Sequence, residues 1–133
     1  HGKYKEALKY LQPAAEAGDA GAMYVLGQMY ASGRGITKDE KAATDLFLKA
    51  ANLGNADAQQ SLGSALMLGE GIEQDMVEAL KWFIISGRGG NKDAISYTAK
   101  VGRFLSREMQ REARQKARDW QKANAPKDPD AKQ

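Results

Sequence analysis

The chain alternates between stretches with helical spacing of apolar side chains and short polar stretches rich in glycine. In residues 22–32, apolar side chains recur three or four positions apart, which places them on one face of a helix. The stretch that follows Asp39 repeats this spacing. Alanine and leucine are abundant, whereas valine, isoleucine and threonine, which lose rotamer freedom in helices, are scarce. The pattern predicts an all-α protein of short helices joined by turns.

Glycine-opened segments recur at a fixed distance of 36 residues, beginning at Gly18, Gly54 and Gly90. A period of this size is typical of stacked helix pairs. Residues that match one period apart include Leu26 and Leu62, Gly27 and Gly63, Gly33 and Gly69, Gly35 and Gly71, Asp39 and Asp75, Ala43 and Ala79, and Phe47 and Phe83. One period earlier, Ala7, Leu11 and Gly18 match as well. We therefore expect the chain to open on the second helix of a repeat whose first helix is absent.

Short polar residues and glycines predict the helix ends. Asp19, Asn55, Asn91, Asp39 and Asp75 each precede a predicted helix. There a short polar side chain can accept a hydrogen bond from an unpaired backbone N–H. Gly33 and Gly69 follow the first helices, which predicts left-handed C-caps. Gly27 and Gly63, inside the first helices, are predicted to let the partner helix approach closely.

The repeated unit reads A-x-x-x-L-G, then G-x-G-[IV], then D, A-x-x-x-F and a closing A-A-x-x-G. From about Tyr4 to Lys100 it resembles the Sel1-like repeat, a relative of the tetratricopeptide repeat. The resemblance implies an all-α fold, an α–α superhelix that forms a right-handed solenoid of antiparallel helix pairs. The third unit departs from the pattern, because Thr98-Ala99 replaces Leu-Gly and no G-x-G follows. Repetition is therefore expected to stop there.

This interpretation divides the chain into a repeat solenoid, a capping helix and a tail. The solenoid covers residues 1–105, as a half repeat 1–17, repeats 18–53 and 54–89 and a partial repeat 90–105. Residues 106–124 are predicted to form a C-terminal capping helix with a polar outer face. Its apolar stripe is Met109, Ala113, Ala117 and Trp120, and its opposite stripe is Arg107, Arg111, Arg114 and Arg118. Residues 125–133, punctuated by prolines, are predicted to be a disordered tail.

Residues suited to catalysis or to cofactors are scarce. The chain has no cysteine and one histidine, His1, so a zinc site of the usual kind and a Ser-His triad are not expected. The glycine turns lack the spacing of a P-loop or a dinucleotide-binding motif. No apolar run reaches the roughly 18 residues of a membrane span. We predict a protein that is not an enzyme and holds no cofactor or metal; a hydrolase, as suggested within the Sel1-like family, is the weakest hypothesis.

The face of the first helices opposite the core is the predicted partner-binding surface, a concave groove. It consists of Tyr24, Gln28 and Ala31, then Gln60, Ser64 and Met67, then Ser96, Lys100 and Arg103. These sets differ between repeats while the core positions agree, as a recognition surface permits. Tyr24 and Met67 are the predicted anchors. The alternative is that both pack against a neighbouring helix.

The leading hypothesis is an adaptor or scaffold that presents this groove to a peptide or a partner protein. By resemblance, Sel1-like proteins assemble or regulate complexes, and many bacterial members are exported. That favours an exported or periplasmic location over a cytoplasmic one, whereas the sequence itself leaves the compartment open. The half repeat exposes Tyr4, Ala7, Leu8 and Leu11, which predicts a risk of homo-oligomerisation.

A second hypothesis is an anionic partner, nucleic acid or a membrane surface, bound by Arg107, Arg111, Arg114 and Arg118. Residues 103–122 carry seven basic and three acidic side chains, a local charge of +4. A solvated face of the capping helix explains the same arginines. The whole chain carries only +3, so its overall charge does not favour nucleic acid.

Overall fold

The computed structural model describes residues 2–125, which form seven α-helices and no β-strand. The helices are α1 (Gly2–Glu16), α2 (Ala20–Ser32), α3 (Glu40–Asn52), α4 (Ala56–Leu68), α5 (Met76–Arg88), α6 (Lys92–Gly102) and α7 (Arg107–Ala123). The predicted all-α fold is confirmed. His1 and residues 126–133, which include most of the predicted tail, lie outside the described residues.

The first six helices stack in chain order, because each packs against the next. α2 with α3 and α4 with α5 form two helix pairs, which fall within the proposed repeats 18–53 and 54–89. One hydrophobic core runs through the whole stack, from Ala15 on α1 to Ala117 on α7. No helix within residues 2–125 is both long and apolar enough to span a membrane.

The predicted helix caps are confirmed. Asp19 accepts a hydrogen bond from the Ala22 N–H at 3.0 Å, and Asn55 accepts one from the Ala58 N–H at 2.8 Å. The other predicted caps are Asp39, Asp75 and Asn91. Each accepts a hydrogen bond from the backbone N–H of the residue three positions later. α2 begins at Ala20 rather than at the predicted Ala22, because Asp19 is itself the cap.

The predicted left-handed turns are also present. Gly33 and Gly69 both have φ of 72° and end α2 and α4. Gly35 and Gly71 are left-handed as well, with φ of 76° and 70°. Gly35 and Gly71 each lie against the start of the second helix of the preceding repeat. For Gly71 that helix is α3, and an added Cβ on Gly71 would collide with the Glu40 carbonyl. The turns therefore require glycine both for conformation and for close approach.

Buried polar side chains join neighbouring helices across the stack. Thr44 on α3 is 4 % exposed and donates to the Glu70 carbonyl at 2.9 Å. Gln59 on α4 donates to the Ala51 carbonyl at 3.1 Å, and Ser86 on α5 donates to the Ala56 carbonyl. Each buried donor thus has a partner, as burial of a polar group requires.

α7 differs in position from a helix that simply covers the end of the stack. It packs against α5, where the rings of Trp120 and Trp82 meet edge to face with centroids 5.5 Å apart. The Trp120 Nε1–H donates to Asn52 Oδ1 at the end of α3, at 3.2 Å. Because α3 precedes α5 in the stack, α7 folds back along the second helices instead of covering α6. The predicted apolar stripe does face the core, since Ala113 and Ala117 are fully buried.

Candidate functional site

A groove of about 630 Å³ opens between α2 and α4. We call it the α2–α4 groove. Its lining comes from α1 to α4 and the two glycine turns, namely Tyr4, Val25, Gln28, Met29, Ala31, Ser32, Arg34, Glu40, Ala43, Thr44, Phe47, Gln60, Ser61, Ser64, Ala65 and Glu70. This volume lies in the range of pockets that hold a ligand or a few side chains of a partner.

The floor of the α2–α4 groove is apolar and rigid. α3 forms it, with Ala43 and Phe47 only 2 % and 7 % exposed. Phe47 is held close to α2 because Gly27 has no side chain: an added Cβ there would lie 2.7 Å from the Phe47 ring. Val25 forms part of the wall and is 40 % exposed. A partner's apolar side chain could therefore be buried between Val25 and this floor.

The rim of the groove is polar. Gln60 donates to the Ser64 hydroxyl at 3.1 Å, and Gln28 donates to the Tyr24 hydroxyl at 2.9 Å. These amides and hydroxyls are exposed or half-buried, so they can exchange water for a partner's backbone groups. Charges gather at the end formed by the turns, where Arg34, Glu40 and Glu70 line the groove.

The structure brings together four of the nine predicted groove residues, Gln28, Ala31, Gln60 and Ser64. Ser96, Lys100 and Arg103 are exposed on or just after α6, outside the groove. Val25 and Ser61, each one position after a predicted residue, line the groove and were missed. A prediction that counted more positions around each first helix as the binding face would have included both.

Tyr24 and Met67, the predicted anchors, do not line the α2–α4 groove; both are half-buried against the core. The Tyr24 ring lies 6.0 Å from that of Phe47. Burial raises the pKa of the Tyr24 hydroxyl, and the charge of Asp57 on α4 raises that pKa further. This position fits the alternative interpretation, packing against a neighbouring helix, and a role in binding stays a prediction for both residues.

A second cleft of about 470 Å³ lies on α7 and is lined by Arg107, Gln110, Arg111 and Arg114. Gln110 fixes the start of the helix by donating to the Gly102 and Leu105 carbonyls at 2.8 and 3.0 Å. Its side-chain oxygen accepts from Arg114 at 3.2 Å. Arg118, the fourth predicted arginine, instead donates to Gln115 at 2.8 Å and does not line the cleft.

Within the described residues, neither cleft gathers enough acidic side chains to hold a metal ion. Within residues 2–125, the His, Asp and Glu side chains form no group of three or more that could hold a metal ion. The three ion pairs in that range involve Lys38, Lys41 and Lys81, so none of the arginines of the α7 cleft pairs there with a carboxylate. The arrangement is suited to non-covalent recognition: apolar burial in one cleft and positive charge in the other.

Comparison with protein families gives a match to the Sel1 repeat over residues 3–19, 20–55 and 56–91. No curated protein sequence matches the chain. Among solved structures, a protective antigen of uropathogenic Escherichia coli strains that displays an SLR fold is 25 % identical, with a TM-score of 0.84 over 97 % of this chain. A Sel1 repeat protein from Oxalobacter formigenes is 33 % identical, with a TM-score of 0.69 over 71 % of this chain.

Cysteine-rich protein B of Helicobacter pylori is 29 % identical, with a TM-score of 0.65 over 68 % of this chain. The chain spans 68 % of that protein. It spans only 30 % of the Escherichia coli antigen and 27 % of the Oxalobacter formigenes protein. These similarities confirm the solenoid fold. The similarity to the Escherichia coli antigen also extends beyond the matched repeats.

Proposed function

We propose, from the premise that this chain belongs to the Sel1 repeat family, that it is an adaptor whose α2–α4 groove binds a segment of a partner protein. Sel1 repeat proteins generally act in protein–protein interaction and are typically scaffolds without enzymatic activity. The observation that carries the proposal is the pairing of an apolar floor and wall with a rim of amides and hydroxyls in one groove.

The composition of the groove indicates the kind of segment it suits. One apolar side chain of the partner packs between Val25 and Phe47, where it is removed from water. The partner's backbone then hydrogen-bonds with Gln28, Gln60 and Ser64 along the rim. Polar groups that are paired in this way add orientation and specificity more than affinity. We infer an uncharged or weakly charged peptide segment with an apolar anchor.

The test is selection from a displayed library of short random peptides, followed by affinity measurement of the enriched peptides. Val25→Glu places a charge on the apolar wall, so we expect it to weaken binding at least tenfold. The matched control is Leu48→Glu on α3, because Leu48 is 38 % exposed and Val25 is 40 % exposed, and Leu48 lies outside the groove. Equal affinities for the two variants would refute the groove assignment.

A second candidate function is binding of a polyanion by the α7 cleft. The supporting observation is that Arg107, Arg111 and Arg114 converge on one cleft without a carboxylate partner in residues 2–125. Phosphate groups are suited to such arginines, since the guanidinium group can donate two hydrogen bonds to one phosphate. The two clefts share no lining residue, so the two functions can be tested with separate substitutions.

The experiment measures binding of a short DNA duplex and of vesicles containing anionic lipid at several salt concentrations. The double variant Arg111→Gln with Arg114→Gln should weaken binding. On DNA, the steepness of the plot of log affinity against log salt concentration should fall by about 0.9 for each phosphate that the variant no longer neutralises. Lys116→Gln with Lys122→Gln removes the same charge from α7 away from the cleft and is the control. Binding that does not change with salt would dispose of this second function, and the two probes separate nucleic acid from membrane.

A further inference from the structure

The turn between α6 and α7 carries an aromatic side chain that is almost wholly exposed. Phe104 is 85 % exposed, the highest value among the large apolar side chains of residues 2–125. Val101 before it and Leu105 after it both pack against the core, so Phe104 is the apolar residue that this turn directs outward. Single apolar residues on a surface are common and indicate nothing by themselves. Phe104 differs because it lies beside the arginines of the α7 cleft.

One glutamine ties this turn to the α7 cleft. Gln110 lines the cleft, and its Nε2 donates to the Gly102 and Leu105 carbonyls at 2.8 and 3.0 Å. Its Oε1 accepts a hydrogen bond from Arg114 Nη2 at 3.2 Å. The turn that carries Phe104 and the arginines of the cleft are therefore held next to each other by the same side chain.

The surface beside Phe104 is positively charged. Arg103, directly before it, is exposed, and three further arginines line the α7 cleft. None of those three pairs with a carboxylate within residues 2–125. Because each helical residue advances about 100°, the acidic residues of α7 lie about 110° around the helix from the cleft arginines; they are Glu108, Glu112 and Asp119. The cleft side of α7 thus presents arginines and no carboxylate.

We propose that Phe104 and the α7 cleft together dock on the surface of an anionic lipid membrane. The Phe104 ring enters the boundary between headgroups and acyl chains, and the three cleft arginines bind lipid phosphates beside it. Aromatic rings favour this boundary, and each basic side chain near an anionic leaflet increases the affinity about fivefold. The inference rests on the second candidate function, binding of a polyanion by the α7 cleft, and identifies that polyanion.

The combination of one exposed ring with a basic cleft favours a membrane over nucleic acid. A DNA duplex presents phosphates on its outside, for which the arginines suffice and the ring adds nothing. A single strand is bound by several aromatic rings on which successive bases stack, and residues 101–114 contain no aromatic residue besides Phe104. A membrane surface has an apolar layer directly beneath its anionic groups, so it uses both features.

Co-sedimentation with lipid vesicles tests the docking. The unmodified chain should bind vesicles of equal parts phosphatidylcholine and phosphatidylglycerol but not vesicles of phosphatidylcholine alone, and added salt should weaken the binding. Phe104→Ser should weaken it at least about fivefold, because no ring then leaves water. Leu53→Ser is the matched control, since Leu53 is 59 % exposed and follows Asn52, which contacts Trp120 near the far end of α7. Circular dichroism should show unchanged helix content for both variants.

A fluorescent probe tests whether position 104 enters the bilayer. The chain contains no cysteine, so Phe104→Cys can be labelled with an environment-sensitive fluorophore at that position alone. Vesicles of the same anionic composition that carry a quencher near the start of the acyl chains should quench this probe. The same probe on Leu53→Cys should remain unquenched, because it stays in water.

The outcomes separate this inference from the function on which it rests. Vesicle binding that Phe104→Ser leaves unchanged, or a probe at position 104 that stays unquenched on bound chains, would overturn the insertion and leave polyanion binding in place. A larger loss of affinity for single-stranded DNA than for vesicles in Phe104→Ser would also overturn it, because that loss would indicate base stacking. A chain that binds neither vesicles nor DNA would refute the second candidate function itself.

Discussion

At the scale of single residues, Gly27 and Gly63 set the distance between the paired helices. Glycine within a helix is normally about 1 kcal/mol less favourable than alanine, so its presence there requires a reason. The reason is the ring that occupies the space, since an added Cβ on Gly63 would lie 2.7 Å from Phe83 Cε1. Phe83 is fully buried and cannot move aside cheaply.

Gly63→Ala is therefore expected to lower the free energy of unfolding despite the better helix propensity of alanine. Overpacking of a filled core costs about 1–3 kcal/mol, which exceeds the propensity gain of about 1 kcal/mol. Chemical denaturation followed by circular dichroism measures the difference. Gly102→Ala is the control, because an added Cβ at Gly102 meets nothing within 4 Å and the change should be neutral or stabilising.

The same pair of positions tests whether the glycine and the phenylalanine are matched in size. Gly63→Ala combined with Phe83→Leu should be more stable than the sum of the two single changes predicts, by about 1 kcal/mol of coupling. Simple additivity would mean that Ala and Leu do not compensate at this contact. Comparison of the two single variants and the double variant in the same denaturation assay decides between these outcomes.

At the scale of elements, the last turns of α7 join it to both α5 and α3. Trp120 contacts Trp82 edge to face and donates to Asn52, and Gln121 accepts from Arg88 at the end of α5. The ring of Trp82 also lies 4.4 Å from the Lys81 Nζ, which suits a cation–π contact. The tryptophan pair thus connects the amphipathic helix α7 to the repeat stack.

Trp120→Ala should release the end of α7 and lower the free energy of unfolding by about 2 kcal/mol, below the cost for a fully buried tryptophan because Trp120 is half-buried. Amide hydrogen exchange should then increase over residues 114–123. Trp120→Phe keeps an aromatic ring but removes the donor to Asn52, so a smaller loss is expected. Unchanged exchange in α7 with Trp120→Ala would show that other contacts hold the helix.

At the scale of the whole molecule, the repeats separate two clefts. The α2–α4 groove is lined by residues of α1 to α4 and the two glycine turns, whereas the α7 cleft is lined by residues of α7 alone. A solenoid permits this separation because each repeat contacts only its neighbours. A partner in the groove and a polyanion on α7 would therefore contact different residues.

Much of the fold followed from local chemistry in the sequence. The period of 36 residues located the pairs, and short polar residues such as Asp19 and Asn55 located the helix starts, because an N-cap needs only its own next few residues. Gly33 and Gly69 located the helix ends for the same reason. The close-packing glycines were identified because nothing else explains a glycine repeated in mid-helix.

The candidate site was predicted less fully, since a helix pattern does not specify how far each face is covered. Tyr24 was predicted to bind, yet the neighbouring helix α4 covers part of it, whereas Val25, one position later, is left on the wall of the groove. The offset between them is the rotation of one residue around the helix. Which of the two side chains faces the groove depends on the angle and spacing of α2 and α4, and a helix pattern does not give these.

The sequence by itself determined the helical content, the repeat frame, the caps and the turns, because each depends on residues close together in the chain or on their periodic recurrence. Only the tertiary structure decided which side chains meet in the α2–α4 groove, that α7 folds back onto α5, and that Phe104 is left exposed. These features depend on contacts between residues far apart in sequence, such as Trp120 with Asn52. Their energies are set by packing geometry, which no local pattern records.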